Sequence, residues 1–286
     1  MTTISLLGTG LMGQALGERL LMQDYTLTVF NRSVEKMQPL AQSGAKTAAS
    51  AQQAIDASNI CILFLSDFNA ITTVLDTVDN DTFQNKYFIQ MATIAPEQSR
   101  QLANRIERQQ GHYLESPVLG SLPEARNGRL LLMTSGRLAT FDSLLPVLSS
   151  MAEKPQYFGE VGQGSTVKLA MNQLIAGLTS SFSLSLALLE KENVNIEQFM
   201  GVLRDSALYA PTFDKKLQRM LEQNYANPNF PTKHLAKDIQ LFIDVAQQQG
   251  LQTCALEGIN ELITKTLALG LSDTDYSALY AAMSKQ

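Results

Sequence analysis

Near its start the chain reads Ile4-Ser5-Leu6-Leu7-Gly8-Thr9-Gly10-Leu11-Met12-Gly13. Residues 4–7 form a short apolar run that predicts a buried strand, and residues 11–23 have a helical pattern. Between a strand and a helix, a first glycine permits a tight turn, a second lets the backbone approach a pyrophosphate, and a third allows close helix packing. The stretch therefore predicts a dinucleotide-binding loop with contacts from Gly8, Gly10, Leu11, Met12 and Gly13.

Short apolar runs alternate with helical patterns through the rest of the first half. Seven runs predict strands, at residues 4–7, 26–30, 59–66, 87–92, 113–118, 130–134 and 157–158. Such alternation is typical of an α/β fold with a parallel sheet and helices on both faces. Together with the glycine loop, it predicts an N-terminal Rossmann doubly wound sheet over residues 1–162.

The second half of the chain has a different pattern. Residues 165–193 contain no proline, and Gly162 and Gly164 before them, with Ser165 as N-cap, predict the start of a helix. At 1.5 Å per residue this helix would measure about 42 Å, which is long enough to link two domains. The sequence beyond it also reads as helix, so residues 163–286 are expected to form an all-α domain.

The end of the second predicted strand bears on the choice of cofactor. The chain reads Asn31-Arg32-Ser33 there, where NAD-selective sites carry an acidic residue for the ribose 2′-hydroxyl. A guanidinium can bind a 2′-phosphate through two hydrogen bonds, whereas a carboxylate would repel it. We therefore expect NADP(H) to be preferred over NAD(H), with Asn31, Arg32 and Ser33 as contacts. The alternative is that Arg32 is an ordinary surface arginine.

A further strand end is expected to contact the cofactor. Leu65 and Ser66 close the apolar run at residues 59–66, and ligands of such sheets bind beyond the carboxyl ends of the strands. The next residue, Asp67, is read either as part of this site or as a helix cap.

Composition and charge exclude several classes of function. The net charge is −5 and the isoelectric point is about 5.2, so the basic footprint of a nucleic-acid binder is lacking. No apolar run reaches the roughly 18 residues of a membrane span, and no basic segment precedes the N-terminal apolar stretch as in a signal peptide. We therefore expect a cytoplasmic protein that binds neither nucleic acid nor membrane.

The cysteines and histidines are few and widely separated: Cys61, Cys254, His112 and His234. No two of them have the spacing of metal ligands, so no metal site is expected. Cys61 lies in an apolar run and is expected to be a buried free thiol.

Three later segments extend the glycine loop to a resemblance that covers nearly the whole chain. They are Glu115-Ser116-Pro117-Val118-Leu119-Gly120-Ser121, Gly162-Gln163-Gly164-Ser165-Thr166-Val167-Lys168-Leu169-Ala170-Met171-Asn172 and Lys237-Asp238-Ile239. In this order they resemble the substrate-binding turn, the catalytic helix and the late cofactor and substrate segment of the β-hydroxyacid dehydrogenases, the family of 3-hydroxyisobutyrate dehydrogenase. The resemblance implies an NAD(P)-dependent enzyme that acts on CH–OH groups.

Within that family the chain looks most like the glyoxylate/succinic semialdehyde reductase branch, through residues 31–33 and 229–234. This implies reduction of a small aldehyde or keto acid to its hydroxy acid with NADPH. It also implies Lys168 as the catalytic acid/base and Asn172 as its substrate-orienting partner. The other implied substrate contacts are Thr93, Leu119, Gly120, Ser121, Phe230 and Asp238, and the further cofactor contacts are Thr93 and Lys237.

The residues themselves support the roles of Lys168 and Asn172. They lie four apart and so share one face of the predicted helix. Lys168 is expected in the first turn, where the helix dipole disfavours a cation and eases loss of its proton. Carbonyl reduction needs a proton for the developing alkoxide, and an ammonium group supplies that proton together with charge stabilisation.

One departure from the family affects the expected substrate. Leu119 stands where the family's turn usually carries a serine, and leucine cannot bond a substrate carboxylate. The backbone N–H groups of Gly120 and Ser121 are then the expected donors.

Two alternatives stay open: an imine reductase, although that family usually lacks lysine at the place of Lys168, and a non-catalytic NADP-binding regulatory protein. A 6-phosphogluconate dehydrogenase is disfavoured because its helical domain is much larger. The many apolar positions of the helical half predict a homodimer or homotetramer.

Overall fold

The computed structural model describes residues 2–284. The chain divides into two compact units, the first ending at Lys168 and the second beginning at Leu169. In the described residues, all strands that form the sheet belong to the first unit, and the second unit is built of helices. The expected α/β Rossmann domain followed by helices is confirmed.

The first unit contains nine strands within the part of the chain that the structure describes. They are β1 (Thr3–Leu7), β2 (Thr26–Phe30), β3 (Lys46–Thr47), β4 (Ile60–Leu63), β5 (Tyr87–Gln90), β6 (His112–Glu115), β7 (Val118–Leu119), β8 (Leu131–Gly136) and β9 (Gln156–Tyr157). The α-helices between them are α1 (Leu11–Met22), α2 (Gln38–Gln42), α3 (Ala51–Asp56), α4 (Phe68–Leu75), α5 (Pro96–Arg108), α6 (Leu122–Arg126) and α7 (Leu138–Met151).

The sheet has the order β3-β2-β1-β4-β5-β6-β8-β7, with β9 beside β8. The first six of these strands pair in parallel, as expected, whereas β8 is antiparallel to β6 and β7. A parallel crossover needs a dozen or more residues, and the connection from β7 to β8 is shorter and returns antiparallel. The strand order reverses between β1 and β4, so their carboxyl ends open the crevice where dinucleotides bind in such sheets.

Most strand boundaries differ from the expectation by one or two residues, and three differences are larger. The run at residues 59–66 is a strand only to Leu63, because the chain then turns toward α4. The run at residues 113–118 is split into β6 and β7. Strand β3 was not predicted, since its two residues are exposed and carry no apolar run.

Two apolar cores cover the faces of the sheet, and alternate residues of each strand enter different cores. Ile4, Leu6 and Ile62 belong to one core, while Leu7 and Cys61 belong to the other. The expected buried thiol is confirmed, because Cys61 is free and 1% exposed. Burial raises the pKa of the Cys61 thiol to about 12.

The second unit is helical in the described residues. Helix α8 (Gln163–Lys191) begins in the first unit, and α9 (Ile196–Arg204), α10 (Pro211–Leu221), α11 (Thr232–Gln248), α12 (Cys254–Ala268) and α13 (Leu279–Ser284) follow. One core joins α11 and α12 through residues such as Leu235, Ile239 and Ile263, and another surrounds Phe182, Met200 and Phe213.

Helix α8 is long and apolar enough to cross a membrane by length and composition alone, with a mean hydropathy of 1.2 over 18 residues. The expectation that no segment could span a membrane rested on uninterrupted apolar runs. In α8, serine and threonine residues lie between the apolar residues, so the helix contains no such run. In the protein, 44% of that window is buried.

Candidate active site

The glycine turn between β1 and α1 has the geometry that its sequence predicts. Gly8 has φ +106°, and a Cβ there would lie 2.2 Å from the carbonyl oxygen of Phe64. A Cβ on Gly13 would lie 2.1 Å from the carbonyl oxygen of Gly8, so α1 packs against the turn only without a side chain. A Cβ on Gly10 would meet nothing within 4 Å, which leaves the start of α1 open to a phosphate group.

Asn31, at the end of β2, ties the glycine turn to the turn that follows it. Its Oδ1 accepts a 3.3 Å hydrogen bond from the Thr9 backbone N–H, and its Nδ2 donates to the Ser33 carbonyl at 3.2 Å. Arg32 between them is exposed. The Asn31 amide is thus used within the protein, and Arg32 is the residue of this turn with a cationic group that solvent reaches.

The neighbouring strand ends complete the edge of the crevice. Leu65 is half-buried and Ser66 exposed after β4, and Thr93 is half-buried after β5. Asp67 is the N-cap of α4, because its Oδ1 accepts a 2.8 Å hydrogen bond from the Ala70 N–H. Of its two interpretations, the helix cap is therefore the one observed.

These residues fit a dinucleotide by the chemistry of the atoms they leave available. The buried Oγ1 of Thr9 and the buried Oε1 of Gln90 have no hydrogen-bond partner among the described residues. Both lie at carboxyl ends of parallel strands, in the glycine turn and in β5. Buried polar atoms usually have partners, so the orphaned Thr9 hydroxyl, in the turn that opens α1, fits a polar ligand. Among the described residues no group of three His, Cys, Asp or Glu side chains is placed to hold a metal ion.

The turn after β7 was expected to bind a substrate carboxylate. Leu119 and Ser121 are half-buried, and Gly120 is exposed with φ +145°. The Ser121 N–H donates a 2.8 Å hydrogen bond to Glu124 Oε2, and the Ser121 hydroxyl donates to the same oxygen. Ser121 and Glu124 thus form a capping box for α6. The expectation that the Ser121 N–H is available to a substrate is wrong for this conformation, because Glu124 already bonds it.

The start of α8 also differs from the expectation. The helix begins at Gln163, so Ser165 is not its N-cap but lies inside the first turn, where its hydroxyl donates to Glu115 at 2.6 Å. Lys168 is consequently the sixth residue of α8 and lies in the second turn. The helix dipole acts mainly within the first turn, so its influence on Lys168 is weaker than the sequence implied.

Lys168 is 8% exposed, and Asn172 follows it one helical turn later in α8. In the second unit, Asn172 is fully buried and its Nδ2 donates a 2.6 Å hydrogen bond to Asp238 Oδ2. The Nζ of Lys237 lies 2.9 Å from the other oxygen, Asp238 Oδ1. The structure therefore brings Asn172, Asp238 and Lys237 together.

Phe230 is half-buried just before α11. Its ring stacks on His234 with 6.5 Å between the ring centres and meets Tyr276 edge-on at 5.9 Å. Its carbonyl oxygen accepts a hydrogen bond from the Tyr276 N–H. The ring is thus held by two neighbours in the second unit.

Two family models match consecutive parts of the chain. Residues 3–162 match the NAD binding domain of 6-phosphogluconate dehydrogenase, and residues 162–283 match the NAD-binding domain of NADP-dependent 3-hydroxyisobutyrate dehydrogenase. The chain belongs to the β-hydroxyacid dehydrogenase family. It is accordingly an NAD(P)-dependent oxidoreductase acting on CH–OH groups, as the resemblance implied.

One curated relative agrees with this assignment, and two solved structures share the fold. The chain is 30% identical to glyoxylate/succinic semialdehyde reductase 1 of Arabidopsis thaliana, over 98% of both proteins. The fold matches Mycobacterium tuberculosis 3-hydroxyisobutyrate dehydrogenase with a TM-score of 0.90 at 22% identity, covering 100% of both chains. It matches an imine reductase variant from Myxococcus stipitatus with a TM-score of 0.69 at 20% identity, covering 99% of both chains.

Sequence reasoning missed two polar residues that shape this β-hydroxyacid dehydrogenase. Glu124 could have been recognised, since Ser121 followed three residues later by Glu is the signature of a capping box. Glu115 is buried at the end of β6, and its signal was a carboxylate inside an otherwise apolar run.

Proposed function

We propose that this enzyme is an NADPH-preferring reductase of small aldehyde or keto acids, with Lys168 as its acid/base. The observation that carries the proposal is the pairing of a nearly buried Lys168 with Asn172 one turn along α8, the Asn172 amide being fixed by Asp238. The similarity to a glyoxylate/succinic semialdehyde reductase supports the same substrate class.

Lys168 performs the proton transfer in this proposal. When bound, the reduced nicotinamide cofactor supplies a hydride to the carbonyl carbon. The Lys168 ammonium hydrogen-bonds the carbonyl oxygen, stabilises the negative charge that develops there, and donates the proton. In the oxidative direction a neutral Lys168 accepts the hydroxyl proton. Asn172 orients the same oxygen.

The remaining roles follow the family resemblance. The resemblance assigns Thr93, Gly120 and Asp238 to the polar end of the substrate and Phe230 to its apolar side. Ser121 can join them only when Glu124 releases its N–H and hydroxyl. The resemblance assigns Lys237 to cofactor binding, and it assigns the glycine turn, residues 31–33, and residues 65 and 66 to the same role.

NADPH preference is assigned to Arg32. Its exposed guanidinium follows the strand that carries the ribose-binding acid in NAD-selective sheets. The support is the absence of a carboxylate from Asn31-Arg32-Ser33, since a carboxylate would repel the 2′-phosphate.

A less anionic substrate is the second candidate, and two observations favour it. Leu119 stands where the family carries a hydroxyl donor. The Glu124 carboxylate accepts hydrogen bonds from the Ser121 N–H and hydroxyl, so it puts a negative charge beside the donors that a substrate carboxylate would use. An imine is one such substrate, although Lys168 argues against it. A regulatory NADP-binding protein without turnover is the remaining alternative.

One kinetic panel separates these possibilities. NADPH and NADH oxidation are followed with glyoxylate, succinic semialdehyde, an uncharged aldehyde and a cyclic imine. Highest kcat/KM with an aldehyde acid and NADPH supports the proposal. Preference for the imine or the uncharged aldehyde supports the second candidate, and binding of NADPH without turnover of any compound supports the regulatory role.

A homo-oligomer is proposed from the surface of the second unit. Leu174, Leu184 and Leu188 of α8 are each at least 50% exposed, and apolar side chains exposed along one helix support its burial in an interface. Light scattering after size exclusion tests it. A mass of 31.4 kDa, that of one chain, at all concentrations would contradict the proposal.

A further inference from the structure

Glu115 is a fully buried carboxylate that gathers donors from three separate segments. It ends β6 and is 0% exposed. Its oxygens accept hydrogen bonds from the Ser99 hydroxyl of α5 and the Ser135 hydroxyl of β8. They also accept from the Gly162 N–H at 2.7 Å, the Ser165 N–H at 3.2 Å and the Ser165 hydroxyl at 2.6 Å.

Three of these five donors belong to the start of α8. The first N–H groups of a helix have no partner within the helix and need a cap. Here the cap is supplied from another element, because Glu115 and the Ser135 hydroxyl bond the N–H groups of Gly162, Gly164 and Ser165. A negative charge at a helix N-terminus is favourable, which offsets part of the cost of burying this carboxylate.

The first turn of α8 also packs closely against β8, with no room for a side chain at Gly164. A Cβ added to Gly164 would lie 2.2 Å from the Met133 carbonyl oxygen and 3.1 Å from Ser135 Oγ. Gly164 and Lys168 lie four residues apart in α8, so they share a face of the helix. A shift of the first turn therefore displaces the backbone that carries Lys168.

We propose that Glu115 is the positioning residue for Lys168, fixing the first turn of α8 to β6 and β8 so that the lysine ammonium is held in its reacting orientation. The inference rests on the proposed acid/base role of Lys168. Glu115 does not touch the reacting atoms in this role. Its effect is transmitted through the backbone of α8, and a displacement of about 1 Å at a catalytic group can cost on the order of 10²-fold in rate.

Glu115→Gln is the primary test variant, because the amide replaces one acceptor oxygen with a donor that faces other donors. Ser165→Ala removes one bond to Glu115 and keeps the carboxylate. Ser58→Ala is the matched control, since it removes a buried hydroxyl pair, Ser58 to Ser5 at 2.9 Å, elsewhere in the same unit. Lys168→Ala is measured alongside with NADPH and either glyoxylate or succinic semialdehyde.

Two readouts are used for each variant. Steady-state kinetics should show kcat lowered on the order of 10- to 100-fold in Glu115→Gln, less in Ser165→Ala, and unchanged in Ser58→Ala, with KM and NADPH affinity within about twofold. Amide hydrogen exchange should accelerate at Gly162, Gly164 and Ser165 in Glu115→Gln but not in Ser58→Ala. If Glu115→Gln does not fold, Ser165→Ala decides by the same two readouts.

The outcomes separate this inference from the proposed function. Wild-type kcat in Glu115→Gln, a loss seen only in KM, or an equal loss in Ser58→Ala would overturn the positioning role. Unchanged hydrogen exchange at the start of α8 would also overturn the positioning role. If Glu115→Gln does not fold, unchanged kcat in Ser165→Ala would overturn it. Near-normal turnover in Lys168→Ala would instead overturn the acid/base proposal, whatever Glu115→Gln does to hydrogen exchange.

Discussion

The side-chain amide of Asn172 donates a 2.6 Å hydrogen bond to the carboxylate of Asp238, and both side chains are buried. A hydrogen bond to a charged group is worth roughly 1.5–3 kcal/mol, and a buried charge that loses its donor bears the full cost. Asn172 therefore has a structural role in the second unit besides the role in substrate orientation proposed for it.

Asn172→Ala should lower the free energy of unfolding by about 1.5–3 kcal/mol, because Asp238 loses its shortest bond. Urea denaturation measures the effect. Asn260→Ala is the control, because the Asn260 side-chain amide of α12 donates an exposed hydrogen bond to Gln240 of α11. Equal stability of the two variants would show that the buried pair does not contribute.

Lys168→Ala should reduce turnover on the order of 10²–10⁴-fold, the usual range for a positioned acid/base, with NADPH affinity little changed. Lys191→Ala is the control, because Lys191 is an exposed lysine at the other end of α8. Steady-state kinetics and cofactor titration measure the two quantities. Turnover similar to that of Lys191→Ala would remove Lys168 from the chemistry.

Arg32→Ala should weaken NADPH binding by about 1.5–3 kcal/mol and leave NADH binding nearly unchanged, because only NADPH carries the 2′-phosphate. Fluorescence titration with both cofactors measures the difference. Arg108→Ala, an exposed arginine of α5, controls for the change in net charge. Equal losses for the two cofactors would contradict the assignment.

Leu119→Ser and Glu124→Gln should each raise kcat/KM for aldehyde acids. The first adds a hydroxyl donor, and the second removes a negative charge from the Ser121 N–H and hydroxyl. A gain of about tenfold corresponds to roughly 1.4 kcal/mol. An uncharged aldehyde should gain nothing, and it serves as the control substrate. A loss with every acid would show that this turn does not bind the carboxylate.

His234 should make stability depend on pH below neutrality. Burial lowers its pKa, Asp238 and Asp273 raise it, and Lys233 and Lys237 lower it further. The folded state then binds fewer protons than the unfolded state, so stability falls as the pH drops through about 6.5 toward the folded pKa. His234→Gln should lose less stability than wild type between pH 7.5 and 5 in urea denaturation. His112→Gln is the control, and identical pH slopes in wild type and His234→Gln would contradict the prediction.

The features that were predictable from sequence are the ones encoded locally. The strand, glycine turn and helix over residues 3–22 follow from apolar spacing and from the glycines of the turn, of which Gly8 and Gly13 have no room for a Cβ. The long helix was also predictable, because residues 165–193 lack proline. Strand β3 escaped because two exposed residues carry no periodicity.

The features that were missed depend on contacts between distant residues. Ser165 reads as an N-cap, but Glu115, 50 residues earlier, caps α8 and leaves Ser165 inside the helix. No local pattern pairs Glu115 with Ser99 and Ser135. The bond between Asn172 and Asp238 likewise joins residues 66 apart; the family resemblance supplied both residues but not their contact.

The two cysteines differ in accessibility in a way that makes them chemically distinguishable. Cys61 is sealed inside the sheet with a pKa of about 12, whereas Cys254 is exposed at the start of α12. Because the thiolate is the reactive form, a brief exposure to iodoacetamide marks Cys254 in the native protein. Cys61 is marked only in molecules whose sheet has opened. The fraction of chains that carry two alkyl groups, read from their mass, therefore reports the fraction of molecules whose first unit has unfolded. No reporter group has to be introduced.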